Sequence, residues 1–559
     1  MKTKTSFYYL LVLVSTLAVY ACIPRTPVIE VTENISSNTT WKAGVIYLVK
    51  QWISVNAGLT IEPGAIIKFE SGVYINVEDG IILAKGTEEK PITFTSAKDD
   101  SFGGDTNKDG KSTSPAAGDW DNIEIGGTNN ASVFEFCKFY YGGQDSETLK
   151  LGGTSKVTVS NCLFAHNKGG GDTISYFYGV LNAYYAGPET KITNNIFYDN
   201  EVPLLINGSF DIEDSNMFHN PDNPAEINKY NGIFFDGYTY IEGQRTWTAR
   251  EVPFVIYSYD LKIREGGSLT LGDTVILKFS EVGIDTEQPL KAQGKDTNSR
   301  IIFTSYRDDA HGGDTNGDGN STSPAAGDWS NIDIGGTNNA SVFEFCAFYY
   351  GGQDSDTLTL GGTSKVTVSN CLFAHNKGGG DTINYFYGVL NAYYAGPETK
   401  ITNNIFYDNE VPLLINGSFD IDDSNIFHNP DNPAEINKYN GIFFDGYTYI
   451  EGQRTWSARE VPFVIYSYDL KIKEGSSFTL GDNVILKFSE VGLNYQGTDL
   501  KNYNGPDVMF TSYKDDVHGG DTNGDGNITS PADGDWRGIY NDVTNIYETW
   551  SNILYAESH

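Results

Sequence analysis

Basic residues are scarce: 38 Lys and Arg stand against 73 Asp and Glu, for a formal net charge of −35. Phosphate backbones are held by clustered Lys and Arg, so this balance excludes nucleic acid as a partner. It suits an acidic extracytoplasmic surface that attracts divalent cations. Cysteine is nearly absent, five in 559 residues, and no Cys/His spacing of a zinc site occurs. Helical periodicity is missing as well. No stretch repeats apolar residues every 3.6 positions for long enough to form a crossover helix, which excludes a doubly wound sheet. The apolar run Phe7 to Val19 is too short to span a bilayer, and no other stretch is long and apolar enough.

That run follows Met1-Lys-Thr-Lys and precedes Val19-Tyr-Ala-Cys22, the layout of a secretory signal with a small-residue cleavage site. A cysteine immediately after that site resembles a bacterial lipobox, which implies residues 1–21 as signal peptide and Cys22 as the lipidated first residue. No Asp follows Cys22, favouring the outer over the inner membrane, on either the cell surface or the periplasmic face. Residues 22–40 read as a tether. The four remaining cysteines form two like-spaced pairs, Cys137/Cys162 and Cys346/Cys371. Bridged pairs and stacked thiols are both open readings.

Repetition dominates the chain beyond the tether. Gly103–Gly283 recurs as Gly312–Gly492 with few changes, and Trp41, Trp247 and Trp456 open equivalent units. The chain divides into unit 1 (41–246), unit 2 (247–455) and a partial unit 3 (456–559). Within unit 1, Val133–Phe139, Val157–Phe164, Lys191–Phe197 and Asp211–Phe218 each alternate apolar with polar residues, the pattern of short strands with one buried face. Short strands every 20–30 residues, each closed by a turn, describe rungs of a coil. Stacked rungs place Phe over Phe in the core and let Asn side chains hydrogen-bond in a ladder.

Each unit carries one acidic loop: Gly103-Gly-Asp-Thr-Asn-Lys-Asp-Gly110, Gly312-Gly-Asp-Thr-Asn-Gly-Asp-Gly319 and Gly519-Gly-Asp-Thr-Asn-Gly-Asp-Gly526. Side-chain oxygens at alternate positions followed by glycine are the first half of a calcium loop. The candidate ligands are Asp105, Asn107, Asp109 and the Lys111 carbonyl; Asp314, Asn316, Asp318 and Asn320; and Asp521, Asn523, Asp525 and Asn527. The bidentate Glu of a complete EF-hand is missing, since its position holds Ala116, Ala325 and Ala532. Further ligands come either from the upstream pairs Asp99-Asp100, Asp308-Asp309 and Asp515-Asp516, or from Asp119, Asp328 and Asp535. A metal-free solvated turn is the simpler alternative. Trp120, Trp329 and Trp536 read as anchors where each loop rejoins the coil.

Three motifs carry a resemblance: the Leu59-Thr-Ile-Glu-Pro-Gly-Ala-Ile-Ile-Lys-Phe69 rung, the Phe94-Thr-Ser-to-Gly110 loop, and the Val-x-Asn-Cys-x-Phe-x-x-Asn rung ending at Asn167. Together they resemble right-handed parallel β-helix lipoproteins of the bacterial envelope, in the pectin-lyase-like class. The resemblance implies an all-β, right-handed parallel β-helix built from two near-identical units and a partial third. That class includes pectate lyases and polygalacturonases, yet no Gly-His-Gly or Arg-Ile-Lys constellation like that of the pectin hydrolases is present, and no catalytic set can be named. Tyrosines beside glycines, Tyr184, Tyr185, Tyr393 and Tyr394, are candidate glycan contacts; stacking along the coil is the other reading. The expectation is a lipid-anchored, calcium-stabilised outer-membrane rod, serving binding or adhesion, or acting as a subunit of an envelope complex. Its partner is an envelope protein complex or an extracellular glycan. A lyase or hydrolase of acidic polysaccharide is the alternative. After Trp536 no polar cap is evident, so a bare strand edge is expected at the end of the coil.

Overall fold

The computed structural model describes residues 26–559 apart from 129, 145–146, 171–176, 338, 354–355, 380–385 and 527. Among the described residues every regular element is a strand, and nearly all pair in parallel. In unit 1 successive strands fall in turn on three sheets. Gly58–Ile61, Ile66–Phe69 and Ile75–Val77 form one rung, and Ile81–Lys85, Ile92–Ser96 and Ile123–Ile125 stack on them in register. The chain is a parallel β-helix.

Period-2 alternation explains the interior. Phe94, Phe139, Phe164, Phe197 and Phe218 stack at 4.8, 4.6, 5.0 and 5.4 Å between ring centroids. Unit 2 repeats the column from Phe303 to Phe427. These spacings match the strand separation of a sheet, so each ring covers the next and one continuous core results. Corners are made by residues in the left-handed region, among them Asn161, Asn194, His166 and Asp199, at φ between 48° and 59°. The residue after each corner points inward. Asn167, Asn200 and Asn228 form one such ladder. The Oδ1 of Asn200 accepts the Asn167 N–H at 3.1 Å, and its Nδ2 donates to the Phe164 carbonyl at 2.9 Å.

The cysteines belong to the other ladder. The Cys162 sulfur accepts the Cys137 N–H at 3.4 Å and donates to the Phe134 carbonyl at 3.4 Å. One rung on, Asn195 accepts the Cys162 N–H and donates to the Val159 carbonyl, both at 3.0 Å. The thiols thus stand in for asparagines. All four are free and buried, which settles the pairs as stacked thiols; burial pushes the Cys137 and Cys346 thiols well up.

Two expectations are corrected. The stretch read as a tether joins the coil early: Val28–Val31 pairs with Ile46–Val49, and Ile35 bridges to Val55. Four residues at a sheet edge, three of them exposed, carry too little alternation to be recognised in sequence. The bare edge expected after Trp536 is covered. Ile546–Tyr547 folds back antiparallel onto Gly538–Asn541, Trp550 stacks on Tyr503 at 4.0 Å, and Ile553 and Ala556 bridge to Phe510 and Trp536.

Two of the three faces do not run straight from repeat to repeat. Ile92–Ser96 and Cys137–Tyr140 of unit 1 lie in a seven-stranded sheet, whereas their unit 2 counterparts, Ile301–Ser305 and Cys346–Tyr349, lie in a 13-stranded sheet. In unit 1 that longer sheet is made by the next strands along the chain, such as Ile123–Ile125 and Leu149–Leu151. Met509–Ser512 of unit 3 lies in an 11-stranded sheet, again one along. The joint is the same each time: Ile233–Asp236 pairs with Phe254–Tyr257, and Ile442–Asp445 with Phe463–Tyr466. Equivalent strands on two faces of the coil thus shift to another sheet from repeat to repeat, whereas the third face runs straight on, since Ile212 bridges to Trp247 and Ile421 to Trp456.

Candidate functional site

The acidic loops leave the coil after Ser96, Ser305 and Ser512 and re-enter at Trp120, Trp329 and Trp536. Each tryptophan is buried and is tied by its indole N–H to a main-chain carbonyl, Tyr140, Tyr349 and Leu554, at 2.7–2.8 Å. Trp120 stacks on Phe69 at 4.2 Å. These rings are anchors, as read from the sequence.

A buried lysine holds each loop from below. Lys278, with no exposed surface, donates to the Gly313 carbonyl at 2.6 Å and to Thr315 Oγ1 at 2.9 Å; Lys68 and Lys487 do the same in their loops. Burial pushes Lys278 and Lys487 down to about 8, against the opposing pull of the nearby aspartates. Sequence reading passed over these lysines. The signal was a lysine inside the otherwise apolar Ile-Lys-Phe and Leu-Lys-Phe strands.

The two sources proposed for further ligands separate cleanly. Asp119, Asp328 and Asp535 are engaged elsewhere: Asp328 accepts from Ser305 Oγ at 2.7 Å, Arg307 at 2.8 Å and the Ala325 N–H at 3.0 Å. The first Asp of each upstream pair is also occupied, Asp308 by Thr304 and His311 at 2.6 Å each. The second Asp is not. Asp100, Asp309 and Asp516 each keep a buried carboxylate oxygen with no hydrogen-bond partner. Carboxylate oxygens of Asp309, Asp314 and Asp318 lie within 4.8 Å of one another, and so do those of Asp516, Asp521 and Asp525. Burial first, then Asp314 and Asp318, raise the Asp309 carboxyl above its ordinary range.

Loop 1 departs from this pattern. Among the described residues Asp100, Asp105 and Asp109 are not gathered within that limit. Loops 2 and 3 have a glycine at φ 67°, Gly317 and Gly524, whose N–H reaches the first Asp at 2.7 Å. Loop 1 has Lys108 there at φ 63°, a strained setting for a side chain with a Cβ. The preceding repeat explains the difference. A Cβ at Gly317 or Gly524 would lie 3.0 or 2.9 Å from the ring of Tyr230 or Tyr439, a residue of the repeat before. In these loops Asn107, Asn316 and Asn523 donate to the neighbouring Asp and to a threonine, and Lys111 and Asn320 take positive φ. Asn527 and Cys22 lie outside the described residues.

The four candidate glycan tyrosines divide. Tyr185 is 59% and Tyr394 66% exposed, whereas Tyr184 and Tyr393 pack against small clusters outside the main core. Folding adds others that sequence reading missed: Tyr238 against Tyr259 and, in unit 2, Tyr447 against Tyr468. Their only sequence signal was the Gly-Tyr-Thr-Tyr run at Gly237 and Gly446. In unit 2 a cavity of about 410 Å³ lies among Tyr393, Tyr394, Tyr447, Tyr449, Thr363 and Glu451. Glu451 is its one charged lining residue and is paired with Lys473 at 2.7 Å.

The folding also joins His166, Asp199 and Glu226 from three separate rungs, with His166 Nδ1 2.6 Å from Asp199; His375, Asp408 and Glu435 repeat the group. Compared with family models, with curated proteins and with solved structures, the chain matches none.

Proposed function

We propose that the chain is a lipid-anchored, calcium-stabilised rod of the bacterial outer membrane that binds extracellular glycan without catalysis. The observation that carries the glycan reading is the exposed tyrosine group around Tyr394 and Tyr447, set among Thr, Ser, Gly and Asn beside an open cavity. Sugar rings present C–H faces that stack on such rings and hydroxyls that bond to such neighbours. A lining with a single, already paired, carboxylate suits a neutral glycan. It offers no cation for the acidic polysaccharide that the lyase or hydrolase alternative would act on. Calcium is favoured by an all-oxygen donor set and by the orphaned Asp309 and Asp516 oxygens, which a cation would satisfy. The second and third loops have that donor set, with Asn316, Asn523 and the carbonyl of Asn320 within the same turns.

The anchor rests on Cys22. Cys22→Ser is expected to move the chain from the detergent-extracted membrane fraction to the soluble one; retention in the membrane would remove the anchor. For the glycan, the full chain in detergent is expected to bind at least one neutral polysaccharide among insoluble glucan, mannan and galactan. Replacing the exposed Tyr394 and Tyr447, together with their unit 1 counterparts Tyr185 and Tyr238, by Ala should weaken binding by about tenfold, a loss of about 1.4 kcal/mol. Unchanged retention by that variant sinks the tyrosine site.

A further inference from the structure

Each complete repeat carries its own tyrosine group. In unit 1 Tyr185, Tyr238 and Tyr259 are 59, 66 and 50% exposed; in unit 2 Tyr394, Tyr447 and Tyr468 are 66, 68 and 54% exposed. The rings meet edge to face in both, with Tyr184–Tyr185 and Tyr393–Tyr394 each at 4.6 Å. Placement differs, however. The unit 1 group follows Leu181–Asn182, Ile233–Asp236 and Phe254–Tyr257, all in the 13-stranded sheet. The unit 2 group follows Leu390–Asn391, Ile442–Asp445 and Phe463–Tyr466, all in the 11-stranded sheet.

Resting on the glycan reading above, we infer that the rod is a divalent cross-linker: its two tyrosine groups hold two separate neutral glycan chains. Seven strand steps of the 13-stranded sheet separate Ile123–Ile125 from Ile301–Ser305. At about 4.8 Å per step the repeat advances roughly 35 Å along the axis. Equivalent groups thus differ by that rise and lie along different sheets. A straight glycan lying along one face meets one group and passes the other by. Both are engaged at once only by two chains, or by one chain bent round the rod.

The test uses the full chain in detergent and the neutral polysaccharide it retains, both as a hexasaccharide and as the soluble polymer. The expected result is two hexasaccharides bound per chain by calorimetry, and light scattering that rises when chain and polymer are mixed. Tyr394→Ala/Tyr447→Ala and, separately, Tyr185→Ala/Tyr238→Ala should each lower the stoichiometry from two to one and reduce the scattering to background, with the remaining site's affinity unchanged. One hexasaccharide per wild-type chain overturns the inference and leaves glycan binding standing. So does scattering that persists in both variants. Failure to bind any of the glycans overturns the underlying reading as well.

Discussion

Asn200→Ala is expected to destabilise the coil by roughly 3–5 kcal/mol, since it orphans buried polar groups at about 1–3 kcal/mol each. Asn200 is 3% exposed and links three rungs. Its Oδ1 receives both the main-chain N–H and the Nδ2 of Asn167, at 3.1 and 3.0 Å. Its Nδ2 donates to the Phe164 carbonyl and to Asn228 Oδ1, both at 2.9 Å. Alanine takes the partner from the buried Asn167 N–H and from the Phe164 carbonyl, while the Asn167 amide keeps its bonds to the Phe139 and Ala165 carbonyls. Asn200→Asp keeps the acceptor and loses the donor, so it falls in between. Asn194→Ala is the control. It occupies an exposed corner at φ 56° and loses only left-handed tolerance, about 1 kcal/mol. Denaturant unfolding followed by hydrogen exchange across Leu163–Tyr198 checks the order. Equal losses at positions 194 and 200 would show that the ladder contributes nothing beyond its corners.

Calcium is expected to raise the thermal midpoint, with two ions bound per chain rather than the three the sequence pattern implied. At a hundred times the dissociation constant each ion adds about 2.7 kcal/mol to the folded state, so two sites add about 5 kcal/mol. Asp309→Asn with Asp516→Asn should abolish the rise, because each replaces the carboxylate whose buried oxygen is unpartnered. Asp105→Asn should leave it intact, because loop 1 does not gather its carboxylates. The measurements are calorimetric stoichiometry and melting with and without millimolar calcium. A stoichiometry of three, or a rise that survives the double variant, would overturn the distinction between loops. No response at all would remove calcium.

Much of the architecture was legible because a β-helix writes its period into the chain. Phe139, Phe164, Phe197 and Phe218 mark rung after rung, and the Asn residues beside them mark the ladder. The oxygen donors of the loops were equally plain, their convergence less so. Lys108 differs from Gly317 and Gly524 by one side chain, and its meaning depends on whether Tyr230 or Tyr439 lies beneath the loop. The tyrosine groups were half visible. Tyr184-Tyr185 is contiguous, but Tyr238 and Tyr259 reach each other only across stacked strands. The shift of two faces to another sheet was hidden altogether, since it depends on how the aperiodic stretch between Ile206 and Phe254 stacks on the rung before it.

The in-register joint between Ile233–Asp236 and Phe254–Tyr257, used again at Ile442–Asp445 and Phe463–Tyr466, makes the repeat a self-compatible module. Unequal recombination between the near-identical copies could splice in another module without opening a sheet, because the strand that ends one copy is already the template for the strand that begins the next. Length would then grow in increments of roughly 35 Å. A third complete module would set its tyrosines along a further sheet. Copy number in such a gene would set both reach and valence, with no new surface to evolve.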